Sequence, residues 1–359
     1  MVPYWMLFSL CGFAALISRP SLDPRDRRGA WLALFGLFLA LMIGFRWGVG
    51  GDWGSETRML RIIRNLDLID ALRALDPAFG LVVWIEAQDG YNIWQMNLFA
   101  GVVFTIGLVF FCKNEPHPWL AATVAIPYLV IVVAMGYTRQ SAAIGMAMSA
   151  FVMLQRRAIS RFLVFVLLGA TMHSTAVLLF PLGIIGSRVS KTAALLLGGP
   201  VFLIAFTYLL QDKVDTFIGG YVTAAYSSSG ALIRVSMNVI AAALFLLFRN
   251  RFQLSPEQRA LITTLSIVAL LFLVALFTTS SSTAVDRMAL YIIPLQLFVF
   301  GRLPTALGRS DSERRMLTLG VIVYSLAIML VWLNFADNAA SWIPYQIFPV
   351  EYLEGDYIE

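Results

Sequence analysis

Charge is what this chain has least of. Asp, Glu, Lys and Arg make up 13% of its 359 residues, against about a quarter in an ordinary soluble domain. Hydrophobic residues supply 59%, and the mean hydropathy is +0.79. Nucleic-acid binding is not indicated, because the net charge of +5 is scattered over short loops and forms no basic stripe. Cysteine is nearly absent too. Cys11 lies inside the first apolar segment and Cys112 at the end of the third, neither in a metal or redox spacing, so both read as small core residues without a disulfide. The sequence has no P-loop, no GxGxxG, no HExxH, no CxxC pair, no GxSxG and no DxD pair between the segments assigned below to the outer side. Energy from nucleotide hydrolysis within the chain is therefore not expected. No cofactor is expected either. Asp52, Glu56 and Asp76 offer carboxylates to a divalent metal, but no spacing marks a site.

What is present is a succession of long apolar segments. A spanning helix needs about 20 apolar residues. On that scale the segments near 2–18, 30–45, 93–112, 118–135, 139–155, 161–171, 174–187, 192–210, 231–248, 259–278, 287–300 and 316–335 predict an all-α polytopic membrane protein of about 12 transmembrane helices. The whole chain, 1–359, reads as a single integral membrane domain. Met1-Val2-Pro3-Tyr4 lacks the basic flank of a cleaved signal peptide, so the first segment reads as a retained helix. The pair 161–171 and 174–187 is short and suggests a broken or tilted span around Thr171-Met172-His173-Ser174.

Basic residues orient the bundle. With the 19–29 loop inside, most of the 26 Lys and Arg residues fall in short inner loops, which puts both termini outside. The outer side keeps Arg46, Arg58, Arg61, Arg64, Arg73, Arg139, Lys213, Arg234 and Arg287. Outer loop 46–92 carries Met59, Ile62, Ile63, Leu66, Ile69 and Leu72 at helical spacing, which predicts an amphipathic helix on the outer surface after the second span, or one packed over the tops of the spanning helices. A second outer loop covers 211–230.

Four arginines at outer helix ends run against the usual charge bias and suggest an anionic ligand. Arg46 opens Arg46-Trp47-Gly48-Val49-Gly50-Gly51-Asp52-Trp53, whose glycines permit tight turns and close ligand approach. Asp52 reads as a base, a metal ligand or an orienter of Arg46, and equally as part of a glycine-stopped helix end. Arg139, after Gly136-Tyr137-Thr138 and before Gln140, opens a helix where the dipole disfavours a cation, so it calls for a lipid headgroup or a substrate phosphate nearby. Arg234 and Asp286-Arg287, with Tyr291 beyond, snorkel or bind. Four guanidiniums together would suit a pyrophosphate, since each fork pairs with phosphate oxygens. His173 shares that side. An imidazole with an ordinary pKa near 6.5 suits proton abstraction from a hydroxyl, although a lone histidine near a helix end is more often structural.

Arg46-x-x-Val49-Gly50-Gly51-Asp52, Asp76-Pro77-x-Phe79-Gly80, Arg139-Gln140-x-x-Ala143, His173-Ser174-Thr175-Ala176 and Asp286-Arg287-x-x-x-Tyr291, in that order, resemble the EpsG family of exopolysaccharide and O-antigen polymerases, which are similar in role to Wzy polymerases. The resemblance implies a GT-C-like membrane glycosyltransferase in the bacterial inner membrane, with its active site facing the periplasm. Donor and acceptor would be glycan repeat units on undecaprenyl pyrophosphate, and the implied partners are a chain-length regulator and a flippase. Arg46, Arg139, Arg234 and Arg287 would hold the pyrophosphate. His173 would take the acceptor proton, with Asp52 as the rival base. Trp53, Asp76, Tyr137, Gln140 and Tyr291 would contact sugar or acceptor. Trp53 stands where the family pattern has tyrosine, and Glu56 replaces a second tyrosine.

Two other classes compete. A lipid-linked oligosaccharide flippase or transporter should carry ionisable groups near the membrane midplane, whereas here they gather at one surface. A ligase-type transferase would use the same donor. An acyltransferase using His173 would need a donor usually presented from the cytoplasmic side.

Overall fold

The computed structural model describes residues 1–21, 29–89, 93–183, 230–279 and 282–350, with short pieces between 196 and 207. Its helices are α1 (Val2–Ile17), α2 (Gly29–Gly44), α3 (Trp53–Ile63), α4 (Leu68–Ala74), α5 (Pro77–Asp89), α6 (Trp94–Lys113), α7 (Pro118–Ala125), α8 (Thr138–Gln155), α9 (Ile159–Met172), α10 (Ala231–Phe248), α11 (Pro256–Thr278), α12 (Ser282–Ala289), α13 (Pro294–Leu307) and α14 (Asp311–Phe335). Among the described residues the only strands are β1 (Arg46–Trp47) and β2 (Gln346–Ile347), which pair antiparallel.

Four of these helices, α6, α10, α11 and α14, are long and apolar enough to cross a membrane, and a fifth span arises if α12 and α13 count as one helix bent by 44°. In α11 the side chains of Leu271, Val274 and Phe277 are 59%, 58% and 72% exposed. A continuous apolar stripe of that kind is stable against lipid rather than water, so the chain is an all-α membrane protein. α1, α2 and α9 are shorter apolar helices, as is the continuous stretch from α7 to Ala134. Among the described residues four or five helices therefore meet the length of a full span, fewer than the dozen expected from the apolar segments. Most of 192–210, and the loop 211–230 up to Ser229, lie outside the described residues. The 174–187 segment begins as a 3-10 helix, Ser174–Leu182, with Pro181 inside it.

Helix boundaries follow local chemistry. Ser255 and Gln258 form a reciprocal capping box at the start of α11, with Pro256 in the first turn. Ser310 caps α14 through Glu313 N. At the bundle centre, α7 passes into a π-helix, Ile126–Ala134, whose nine residues are all buried. Pro127 has no N–H to continue the α-helical ladder, and the register widens there. The indole of Trp342 donates to the Ile131 carbonyl at 2.8 Å. α6 and α8 run side by side in the same direction, joined at their C-terminal ends by Arg156 donating to Asn114 at 2.6 Å. Their backbones meet at glycines: a Cβ on Gly107 would lie 2.0 Å from the Gly145 carbonyl oxygen. Small residues at a membrane helix contact allow this approach.

The 46–92 segment is three helices rather than one. α3 ends near Arg64, and Asp67 caps α4 by accepting from Asp70 N at 2.8 Å. The three enclose a small core of Trp47, Trp53, Leu60, Ile63, Phe79 and Val83, among others. Of the apolar series read from the sequence, Ile63 is buried, whereas Ile62 and Ile69 are exposed.

The glycine-rich turn before α3 is shaped by packing. Gly50 has φ +111°, and a Cβ there would lie 1.9 Å from the Met135 carbonyl oxygen. What approaches it closely is the end of the π-helix. Gly50→Ala is expected to destabilise the protein by about 2 kcal/mol or more through φ strain and overlap. Gly54→Ala, in a helix with nothing within 4 Å, should be neutral or stabilising by up to about 1 kcal/mol. Thermal midpoints of the detergent-solubilised variants test the pair.

Candidate active site

The site end of the bundle is organised by Arg46, which is 1% exposed. Its Nε donates to the Val49 carbonyl at 3.1 Å, Nη1 to the Ile43 carbonyl at 2.8 Å and Nη2 to Thr138 Oγ1 at 2.7 Å. Glu56 Oε2 lies 3.9 Å from Nη2. A buried guanidinium is stable only when paired and hydrogen-bonded. Here it joins the end of α2, the glycine turn, α3 and the first residue of α8. Its donors point into the protein.

Arg234 is also committed. Its Nε and Nη2 meet the two oxygens of Asp286 at 2.8 and 2.6 Å, the bidentate geometry in which Arg–carboxylate pairs are strongest. The pair ties the start of α10 to α12.

Arg139 and Arg287 differ. Arg139, near the start of α8, is 41% exposed in its side chain and stands 3.7 Å from Asp76 Oδ2, beyond hydrogen-bond distance. Arg287 is exposed and makes no hydrogen bond or ion pair through its guanidinium among the described residues. The two stretches are pinned together, because Gln140 Nε2 donates to the Arg287 carbonyl at 2.6 Å. Asp52, at the N-cap of α3, is half-buried and makes no side-chain cap hydrogen bond. Burial pushes its carboxyl above the ordinary carboxylate range, while Arg287, Arg139 and Arg46, in that order, pull it back. Two guanidiniums with donors to spare therefore flank a half-buried carboxylate.

His173 ends α9. Its Nδ1 lies 2.6 Å from Thr175 Oγ1, which lies 3.1 Å from the buried Tyr291 hydroxyl. The next residue is held as well: Ser174 N donates to Asp76 Oδ1 at 3.1 Å. Asp76, 2% exposed, thus links the His173 turn to Arg139. A ring nitrogen fixed by a hydroxyl relay is the arrangement that orients an imidazole for proton transfer.

The other expected contacts divide. Tyr137 is half-buried at the N-cap of α8, within electrostatic reach of Arg234, Asp286, Asp52 and Arg287. Trp53 is 8% exposed and packs edge-on against Trp47 with ring centres 5.4 Å apart, so its ring belongs to the small core. Thr175, Thr138 and Glu56 carry contacts at this end that the sequence reading did not assign. Thr175 stands within the His173 motif, and its role depends on Tyr291, far away in the chain. Among the described residues no group of three or more His, Cys, Asp or Glu side chains comes together as a metal site would require.

The model of the EpsG family matches residues 29–347. That interval contains every residue of the cluster. Neither a curated protein nor a solved structure matches the chain.

The four arginines should separate by stability. Arg234→Ala removes the bidentate partner of the largely buried Asp286 carboxylate, which is expected to cost about 3 kcal/mol or more. Adding Asp286→Ala should return part of that loss. Arg287→Ala should change stability by no more than about 0.5 kcal/mol, as for an exposed, unpaired side chain. Thermal denaturation of the purified variants gives the comparison, and equal losses at Arg234 and Arg287 would contradict this division.

Proposed function

The chain belongs to the EpsG family, whose membership implies a polysaccharide-polymerase-like membrane protein, and we propose that it is a GT-C-type glycosyltransferase that joins lipid-linked glycan repeat units at the outer face of the bacterial inner membrane. The donor is a glycan on undecaprenyl pyrophosphate, and the acceptor is a hydroxyl of a second lipid-linked unit. The observation that carries the reading is that Arg139 and Arg287, on separate helices pinned together by Gln140, both act on Asp52, while Arg139 is linked through Asp76 to the turn that fixes His173.

In this mechanism the acceptor oxygen attacks the anomeric carbon, and the bond from that carbon to the pyrophosphate oxygen breaks. The acceptor proton passes to His173, whose ring is oriented by Thr175 and Tyr291. Undecaprenyl pyrophosphate leaves with the bonding electron pair. Arg139 and Arg287 stabilise the charge that grows on it, a contribution that is large where donors are preorganised and water is scarce. Asp52 holds the two cations in the absence of ligand and gives way to the diphosphate. Arg46 and Arg234 position these groups without touching the leaving group. Gln140 keeps the arginine-bearing segments in register. Tyr137 and Tyr291 border the acceptor side.

Arg139→Ala and Arg287→Ala are each expected to reduce polymer formation about 100-fold or more while the protein remains inserted. His173→Ala should lower turnover by about 10²- to 10⁴-fold. The readout is polymer length and lipid-linked intermediates in a deletion strain carrying each variant. Accumulation of single exported repeat units supports the polymerase, whereas absence of exported units would support the flippase reading. Should His173→Ala retain turnover and Asp52→Asn lose it, the proton acceptor is Asp52.

Acidity supplies a further test. Asp52 competes with the diphosphate only when ionised, and burial has raised its pKa. As pH falls through that raised value, its competition disappears. The affinity advantage of Asp52→Asn over wild type for undecaprenyl pyrophosphate should therefore shrink toward unity on acidification. A constant ratio across the carboxylate range would remove Asp52 from this role.

A further inference from the structure

We propose that the end of the bundle opposite the candidate active site holds a second binding site, specific for a phosphate-ester anion. A cavity of about 300 Å³ opens there, with Arg251, Arg302 and Arg314 on its wall together with Ser21, Gln253 and Thr305. That size lies at the lower end of small-ligand pockets. Among the described residues no carboxylate lines it.

Each arginine contributes differently. Arg302 is fixed. It is 7% exposed, its Nε donates to Glu115 Oε2 at 2.6 Å, and its guanidinium lies over the Phe298 ring at 4.2 Å. Glu115 offsets its charge, and the Arg302 Nη2 donates to the Asn114 carbonyl at 3.4 Å, which fixes the guanidinium in the cavity wall. Arg314 donates from Nε to the Gly308 carbonyl at 3.3 Å and stands 3.6 Å from Asp311, whose side chain is 92% exposed. The Arg251 guanidinium makes no hydrogen bond or ion pair among the described residues, and only its backbone N–H is engaged, with the Phe248 carbonyl at 2.8 Å. The cavity therefore combines one preoriented guanidinium, one without a partner among the described residues and one only weakly paired. Ser21 and Gln253 add neutral polar groups to the lining, while the Thr305 hydroxyl donates to the Arg302 carbonyl at 2.8 Å. Phosphate oxygens accept several such bonds at once, and arginine forks match them in geometry.

The charge bias of this face alone does not account for the arrangement. Topology signals act through basic residues in loops and need neither a cavity nor a buried guanidinium in its wall. Arg309 and Arg315 lie on the same face, are exposed and do not line the cavity, so they are its internal control. The site is independent of the reading of the active end. The phosphate ester comes either from an anionic phospholipid headgroup of the adjoining leaflet or from a soluble ester.

The experiment uses the full chain in nanodiscs of phosphatidylcholine, with phosphatidylglycerol added in one arm and inorganic phosphate in the other. Thermal midpoint and, after detergent release, lipid retained by native mass spectrometry are measured. The wild type is expected to bind one of the two probes. The double variant Arg251→Ala/Arg314→Ala should weaken that binding at least five-fold, and Arg309→Ala/Arg315→Ala should leave it unchanged. Retention of phosphatidylglycerol without an effect of phosphate assigns a lipid headgroup, and the reverse assigns a soluble ester. Equal weakening by both double variants, or no binding of either probe by the wild type, overturns the proposal. Correct folding of each variant is read independently from its elution as a single species and its retained helical signal.

Discussion

A positive charge enclosed at the end of α2 sets the terms for everything around it. The Arg46 guanidinium has lost its water and recovers the lost interactions from two carbonyls, a threonine hydroxyl and a nearby carboxylate. Leaving such a charge short of a partner costs about 3–5 kcal/mol, so the four segments that supply the partners cannot shift independently. Asp52 follows Val49 by three residues and Arg139 follows Thr138 by one. Both are consequently held in place by a residue that the ligand need not touch. A further segment strengthens the same region: Tyr4 donates to the Trp342 carbonyl at 2.8 Å, and Tyr345 to the Met42 carbonyl at 2.7 Å.

Much of this was legible in the sequence, and the limits have physical causes. Long apolar runs identify a membrane protein because lipid accepts little else. The four helix-end arginines were visible as departures from the charge bias expected of an outer face. Their division into two internal struts and two with donors to spare was not, because it depends on which carbonyls and carboxylates come near. Gly50 was read as leaving room for a ligand, yet a glycine admits any close neighbour, and here the neighbour is the Met135 carbonyl. Trp53 looked like a sugar platform, but an indole is first a large apolar surface, and Trp47 lies within reach to cover it. The helical periodicity in 46–92 spanned a break at Asp67, since helices joined by a short turn can keep apolar residues in an apparently continuous series.

The segment after α14 drew no attention in the sequence. Its importance is topological: Trp342 reaches the π-helix, and Gln346–Ile347 pairs with Arg46–Trp47. The polar residues at the far end have a parallel history. Arg302 looked like one of many basic residues marking the inner face. In the structure it is buried against Glu115 and Phe298 and forms part of a cavity wall.

The interruption between α12 and α13 has one more consequence. Where Leu290–Ile292 tighten into a 3-10 turn before Pro294, carbonyls that an unbroken helix would use are taken up by side chains from other helices. Asn238 of α10 donates to the Ala289 carbonyl at 3.0 Å and itself accepts from Gln296 at 2.7 Å, while Gln140 of α8 takes the Arg287 carbonyl. The aim of the Arg287 side chain is thus decided by amides on neighbouring helices rather than by the helix that bears it. Exchanges at 140, 238 or 296 therefore shift the position of that arginine and leave the charged groups themselves untouched.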